Sequence, residues 1–239
     1  MQVDVRVARV CLDLNVFFAA LRGREKRISP SAASDLVDMA LSGQAGTSAF
    51  QLVTSVPMLE NWANILQRHF GYTAGDAQEQ ADILFAAASD GPLQIDPLVV
   101  VGSGFVPFAT DEDVIREAQR FTALVNAVGV GETAPIFDEI TDDRHVFLTA
   151  LAGRADLLVT SNIQDFRIRK ALIFTRDDVL VIPNVGHTVV VCKPGFAAYH
   201  LRRGICPSWA YLKENAEVMQ LTINERNVEP NSPTVGTFT

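Results

Sequence analysis

Cysteine is scarce in this chain, with three in 239 residues, and no two of them form a C-x-x-C pair. Cys11, Cys192 and Cys206 therefore cannot build a zinc knuckle by themselves, and their odd number speaks for reduced thiols. Histidine is equally thin. His69, His145, His187 and His200 make no HxxxH or HExxH pair, which removes the usual zinc-hydrolase signatures. Basic charge is in the minority, 20 Lys and Arg against 28 Asp and Glu, for a formal net charge of -8. Such a chain does not coat nucleic acid through its global field, so any grip on a polyanion has to come from local basic patches. There is no G-x-S-x-G elbow, no Walker-type phosphate loop and no internal repeat. A long uncharged apolar run is missing as well. The opening "MQVDVRVARVCLDLNVFFAAL" carries Asp4 and Asp13 and lacks an A-x-A-like site, so neither a signal peptide nor a membrane span fits, and a cytoplasmic protein is expected.

What is present is apolar mass, 48% of the residues, enough for a well-buried core in one generous domain or one domain with an appendage. "VRVARVCLD" reads as a short β-branched strand and "NVFFAALRG" as the helix after it. Ser29 as N-cap and Pro30 at the first position announce a second helix, closed by Gly43. "FQLVTS" reads as a strand and "VPMLENWANILQRHFG" as a helix with Leu59, Trp62, Ala63 and Leu66 on one face. Helical patterns follow at about 73–89 and 111–128, separated by "PLVVVGSGFVPF", a short strand and turn. After "PIFDEI", Thr141 or Asp142 can cap the helix "RHVFLTALAG", and "ADLLVT" is a fully apolar strand. "VLVIP" and "HTVVVC" read as strands, Pro194 opens a helix, and the tail ends in a weak helix "SWAYLKENAEVMQL" and a disordered stretch. Strands that alternate with helices and lack polar alternation imply an α/β three-layer sandwich around a mainly parallel sheet.

In such a sheet the ligand crevice lies beyond the carboxyl ends of the strands, and four separate segments bring acids there. Asp13 ends the first strand, Glu60 lies early in the helix after "FQLVTS", Asp142 and Asp143 open the helix before "ADLLVT", and Asp165 follows that strand. Acids favour helix N-termini, which accounts for Asp142 alone, but a carboxylate between "VARVCL" and "NVFFAAL" sits at the edge of the core and needs a partner or a metal. Clustered carboxylates repel one another unless a hard divalent cation relieves them, so Mg2+ or Mn2+ is the expected cofactor. Phe17, Phe18, Trp62 and Phe147 occupy helical core positions, and His145 is expected on a helix surface.

These residues carry a resemblance. "CLDLNVFFAAL" looks like the D-x-N opening of PIN domains, "SVPMLENWANIL" resembles their second acidic motif, and "DDRHVFLTALAGRADLLVTSNIQDF" is similar to their third and fourth, so that the likeness runs from about Val5 to Phe166. The closing T-x-N and D-F pair most resembles VapC-type toxins. The resemblance implies a metal-dependent endoribonuclease with Asp13, Glu60, Asp143 and Asp165 as catalytic and metal-binding acids. Asn15 and Thr160 would hold the acids, Asn162 would brace the loop, and Asp142 would support them. It also implies RNA as substrate, with a small antitoxin protein and a second copy of the chain as partners and no membrane. Arg22 and Arg24 in "RGREKR", and Arg167, Arg169 and Lys170 in "RIRK", follow active-site motifs closely and are the candidate phosphate contacts.

The chain departs from a minimal PIN toxin in its length, in an extra helix's worth of residues between Glu60 and Asp143, and in a tail without a recognisable motif. The expected division is a nuclease domain over 1–185 and a C-terminal extension over 186–239. Two other readings stay open: a PIN-like interaction module without catalysis, and a haloacid-dehalogenase-like phosphatase. The phosphatase opening D-x-D is spoiled here by Asn15.

Overall fold

The computed structural model describes residues 7–27, 30–93, 143–168, 171–173, 178–182 and 187–215. The expected strand and turn in "PLVVVGSGFVPF", the helix over 111–128, "PIFDEI", Thr141, Asp142, Ser29, Arg169, Lys170 and the tail beyond 215 lie outside these residues.

Strand β1 (Val7–Leu12) leads through Asp13 into helix α1 (Leu14–Glu25), and α2 (Ala32–Ser42) follows. The N-cap of α2 is Ser31, whose side chain accepts the Ser34 N–H, so the expected start at Ser29 and Pro30 is displaced to the serine that makes this bond. Gly43 ends α2 in the left-handed region at φ 67°, as a C-terminal glycine does. The short β2 (Gln44–Ala45) and β3 (Ser48–Val53) precede α3 (Val56–Phe70) and α4 (Ala74–Ser89). Met58, Leu59, Trp62, Ala63 and Leu66 form the buried stripe of α3, and Gly71 closes it at φ 71°. Further on come α5 (Arg144–Ala152), β4 (Leu157–Val159), a 3-10 turn (Ile163–Phe166), β5 (Leu172–Ile173), β6 (Val179–Ile182), β7 (Val189–Cys192), α6 (Pro194–Leu201) and α7 (Trp209–Asn215).

The described strands form one sheet in the order β2-β3-β1-β4-β7-β6-β5. Neighbours from β3 to β7 pair in parallel, whereas β2 at one edge and β6 and β5 at the other run antiparallel. This is the expected mainly parallel sheet flanked by helices, and its interior strands are apolar because both faces are covered. Val10, Leu52, Leu157 and Val190 are all nearly or fully buried across it. Residues 189–192, assigned from the sequence to an extension, pair with β4 on one side and β6 on the other. A cut at 185 thus falls ahead of an interior strand of the same sheet.

The register brings the carboxyl ends of β1 and β4 together: Leu12 faces Val159, and the Asp13 N–H donates to the Val159 carbonyl at 2.9 Å. Beside them, the Thr160 N–H donates to Cys192 at the end of β7. The rim on which the acids were expected is therefore built from consecutive backbone bonds.

A candidate active site at the carboxyl edge of the sheet

Asp13 occupies the N-cap position of α1 with extended backbone angles, yet its side chain makes no capping bond. It turns instead to β4. The Thr160 hydroxyl donates to Asp13 Oδ2 at 2.7 Å, and the Asn15 amide donates to the same oxygen at 2.6 Å. Asn15 also donates to Thr160 Oγ1 at 2.9 Å and accepts the Ser161 N–H at 2.9 Å, so one amide ties the start of α1 to the end of β4. The Asn162 N–H completes the hub by donating to Thr160 Oγ1 at 3.0 Å. Asp13 is 4% exposed and Thr160 fully buried, so these bonds stand in for lost water. Burial pushes the Asp13 carboxyl above the usual carboxylate range, while the Thr160 hydroxyl, the backbone at Asn15 and Leu14 and the charge of His145 pull it back down. The thiol of neighbouring Cys11 is driven far up by burial, with the Asp13 charge a second cause, and stays inert.

After Thr160 the chain turns through Ser161 and Asn162 into the 3-10 turn that holds Asp165. Asp165 does not cap a following helix. Its carboxylate accepts the Asn162 side-chain amide, and its N–H donates to the Asn162 carbonyl at 3.3 Å. Asn162 thus braces the loop through the Asp165 side chain. Phe166 anchors the loop, fully buried against Phe147 with ring centroids 6.5 Å apart. Asp143 precedes α5, where its carbonyl receives the N–H groups of Val146 and Phe147, and its side chain is not a helix cap.

Asp13, Asp143 and Asp165 line a single cleft of ≈ 630 Å³ together with Asn15 and Asn162. Glu60 does not line it. It is exposed on α3, about 100° round the helix from Asn61, which does face the cleft. Of the basic residues singled out in the sequence, the described ones, Arg22, Arg24 and Arg167, stand elsewhere. Arg22 lies over Phe70 and Phe18 and pairs with Glu25 at 3.7 Å, Arg24 pairs with Asp38 at 2.5 Å, and Arg167 is exposed beyond the lining residues. Among the described residues, the basic side chains that do line the cleft are Arg68, His69 and His145. His145 is half-buried there, a correction to the expected surface position: the residues after Asp143 wind toward the acids as α5 begins. Phe18 is likewise a cleft wall and only partly core, packed on Phe70 at 5.1 Å and on His69 at 6.1 Å. Asn61, Asn64 and Arg68 were missed because polar residues opposite an apolar stripe read as a solvated helix face; their own i, i+3, i+7 spacing was the available signal.

The model of the PIN domain family matches residues 9–164 of the chain. The chain belongs to the PIN domain family. No curated protein and no solved structure matches it. The match takes in Asp13, Glu60, Asp143, Thr160 and Asn162 and stops just before Asp165. PIN domains are generally nucleases, hydrolases that act on nucleic acid and usually use divalent metal ions, and membership sets the phosphatase reading aside. In this PIN domain the cleft offers carboxylate and amide oxygens, the donor set of a hard divalent cation, and a buried Asp13 whose ionised form a cation would favour. Among the described residues no group of three or more His, Cys, Asp or Glu side chains is gathered closely enough to hold a metal ion. The donor chemistry fits such a cation. Among the described residues no helix is long and apolar enough to cross a membrane.

Proposed function

We propose that this PIN domain is a metal-dependent endoribonuclease that hydrolyses RNA phosphodiesters in the cleft of Asp13, Asp143 and Asp165. The observation that carries the reading is Asp13 itself, a carboxylate buried at the carboxyl edge of the sheet and fixed on one oxygen by Thr160 and Asn15. Such a group is held for use, since a structural acid at this position would be stabilised better by exposure. Asp13, Asp143 and Asp165 would hold Mg2+ or Mn2+, with Glu60 entering from the rim of α3. A cation bound there would supply Lewis-acid activation of a water near neutral pH and neutralisation of developing negative charge. Asn15 and Thr160 orient Asp13, and Asn162 keeps Asp165 at the mouth of the cleft. No protein nucleophile is required.

The test is cleavage of single-stranded RNA by purified protein with Mn2+ or Mg2+, silenced by excess EDTA; undiminished cleavage in EDTA contradicts the reading. A role as the toxin of a toxin–antitoxin pair, with a small antitoxin and a homodimer as assemblies, rests on the likeness of the closing motif to VapC-type toxins. Growth arrest on induction, lost with Asp13→Asn, is the expected result. A second reading, an interaction module without catalysis, has one observation on its side, the absence of a three-acid group among the described residues. That reading predicts no cleavage under any metal.

A further inference from the structure

One wall of the cleft is the exposed face of α3. Asn61, Asn64 and Arg68 are spaced i, i+3, i+7, which sets them within about 60° of arc and along about 10 Å of helix axis. All three are exposed and line the cleft, and among the described residues no hydrogen bond or ion pair engages their side chains. A guanidinium without a partner among the described residues, in a cleft that also holds three carboxylates, is placed for an incoming anion. Two amides beside it each offer a carbonyl acceptor and an NH2 donor pair, the complement of a nucleobase edge. The half-buried Phe18 ring also lines the cleft, with the Arg22 guanidinium over it at 5.5 Å and the His69 ring set edge-on to it. Rings of this kind stack unpaired bases, and amides read their edges, only when the strand is single.

We infer that this face of α3, with Phe18, is a single-strand subsite: Arg68 binds a backbone phosphate next to the scissile one, Asn61 and Asn64 bond the edge of the adjoining base, and that base stacks on Phe18. The inference rests on the nuclease reading for the identity of the scissile linkage, and it explains how a chain of net charge -8 grips a polyanion at this place. It also gives the cleft a base preference, which an acid cluster alone lacks.

The test separates binding from cleavage. A fluorescein-labelled 12-nucleotide RNA of mixed sequence, its duplex form and three homopolymers are titrated with the full chain in EDTA, and anisotropy is followed over a salt series. Arg68→Gln is expected to weaken single-strand binding about tenfold at low salt and to lower the salt slope by about 0.7, the value for one phosphate on a single strand. Arg68→Lys restores most of that slope, and Lys213→Gln, on α7 and not among the residues that line the cleft, changes neither quantity. Asn64→Ala is expected to compress the spread of affinities among homopolymers while leaving the slope unchanged, and Phe18→Leu to weaken single strands more than duplex. An unchanged slope in Arg68→Gln, or equal affinity of the wild type for duplex and single strand, overturns the subsite. Absence of cleavage with Mn2+ alongside these binding effects overturns the nuclease reading and leaves the subsite standing.

Discussion

Replacing Thr160 by valine removes one hydroxyl from the centre of the site and almost nothing else, since the two side chains share a shape. The hydroxyl is fully buried, donates to Asp13 Oδ2 at 2.7 Å, and accepts from Asn15 and from the Asn162 N–H. The first of these is a bond to an ionisable carboxyl in a place with little water, worth about 1.5–3 kcal/mol. Asn162 is exposed, so its N–H can turn to solvent at small cost, and Asn15 keeps its own bond to Asp13. The predicted loss is thus about 2–3 kcal/mol near neutral pH, which for a chain of this size lowers Tm by roughly 4–12 °C. The pH dependence has a definite sign. Burial holds the folded-state pKa of Asp13 above its unfolded value near 3.9, so its contribution to stability is fully present below that value and is lost as pH rises through the folded pKa. The Thr160 hydroxyl is what limits the rise, so the valine variant extends the window upward. Its deficit should be smallest below about pH 4, where the carboxyl is protonated in both states, and should grow toward neutrality. Urea unfolding at several pH values from 4 to 7 measures it. A deficit under about 0.5 kcal/mol, or one that does not change with pH, would show that the hydroxyl does not support an ionised Asp13.

Further substitutions probe other parts of the account. Asp143→Asn should raise the metal-free Tm by a degree or two while shrinking the stabilisation added by Mn2+, because Asp143 makes no helix-capping bond to lose; a clear fall in metal-free stability assigns it a structural role. Asp165→Asn should abolish most metal-dependent cleavage with little loss of fold, whereas Asn162→Asp, which sets a second carboxylate against Asp165, should lower metal-free stability and increase the Tm gain on adding Mn2+. Full activity in Asp165→Asn would reduce that residue to a loop element. Gly46→Ala places a Cβ 2.6 Å from the Arg202 carbonyl oxygen and the Gly204 nitrogen at a φ of 58°, so it should destabilise the chain by about 3 kcal/mol or more; a neutral result would mean that the β2–β3 turn does not pack on the end of α6.

Periodicity and capping residues made most of the elements legible before any coordinates. The stripe of α3, the apolar β4 and the glycines after α2 and α3 each follow from local chemistry, and the acids at strand ends follow from the rule that places ligands there. Position within the sheet was less accessible. "HTVVVC" announces a strand, but nothing in four apolar residues says that they pair with Leu157–Val159 on one side and Val179–Ile182 on the other, because pairing depends on residues outside the strand itself. The same limit applies to the site. Asp13, Asn15, Thr160 and Asn162 meet in one hydrogen-bonded hub, and their motif announced it. Glu60, Asn61 and Asn64 differ only in angle around one helix, so a shift of one residue decides which side chain faces the cleft. His145 was misplaced for a related reason: its exposure is set by where α5 docks, which the helix's own pattern does not contain.

The central claim, that a cation held by Asp13 and its neighbours cuts RNA in this cleft, is tested most directly by a Mn2+ titration of RNA cleavage with wild type and Asp13→Asn in parallel, both shown by circular dichroism to be folded. The account predicts cleavage by the wild type that rises with Mn2+ to saturation and ends on adding EDTA, with a loss of at least a hundredfold in the variant. Equal cleavage by the two proteins, or cleavage that ignores the metal, would contradict it.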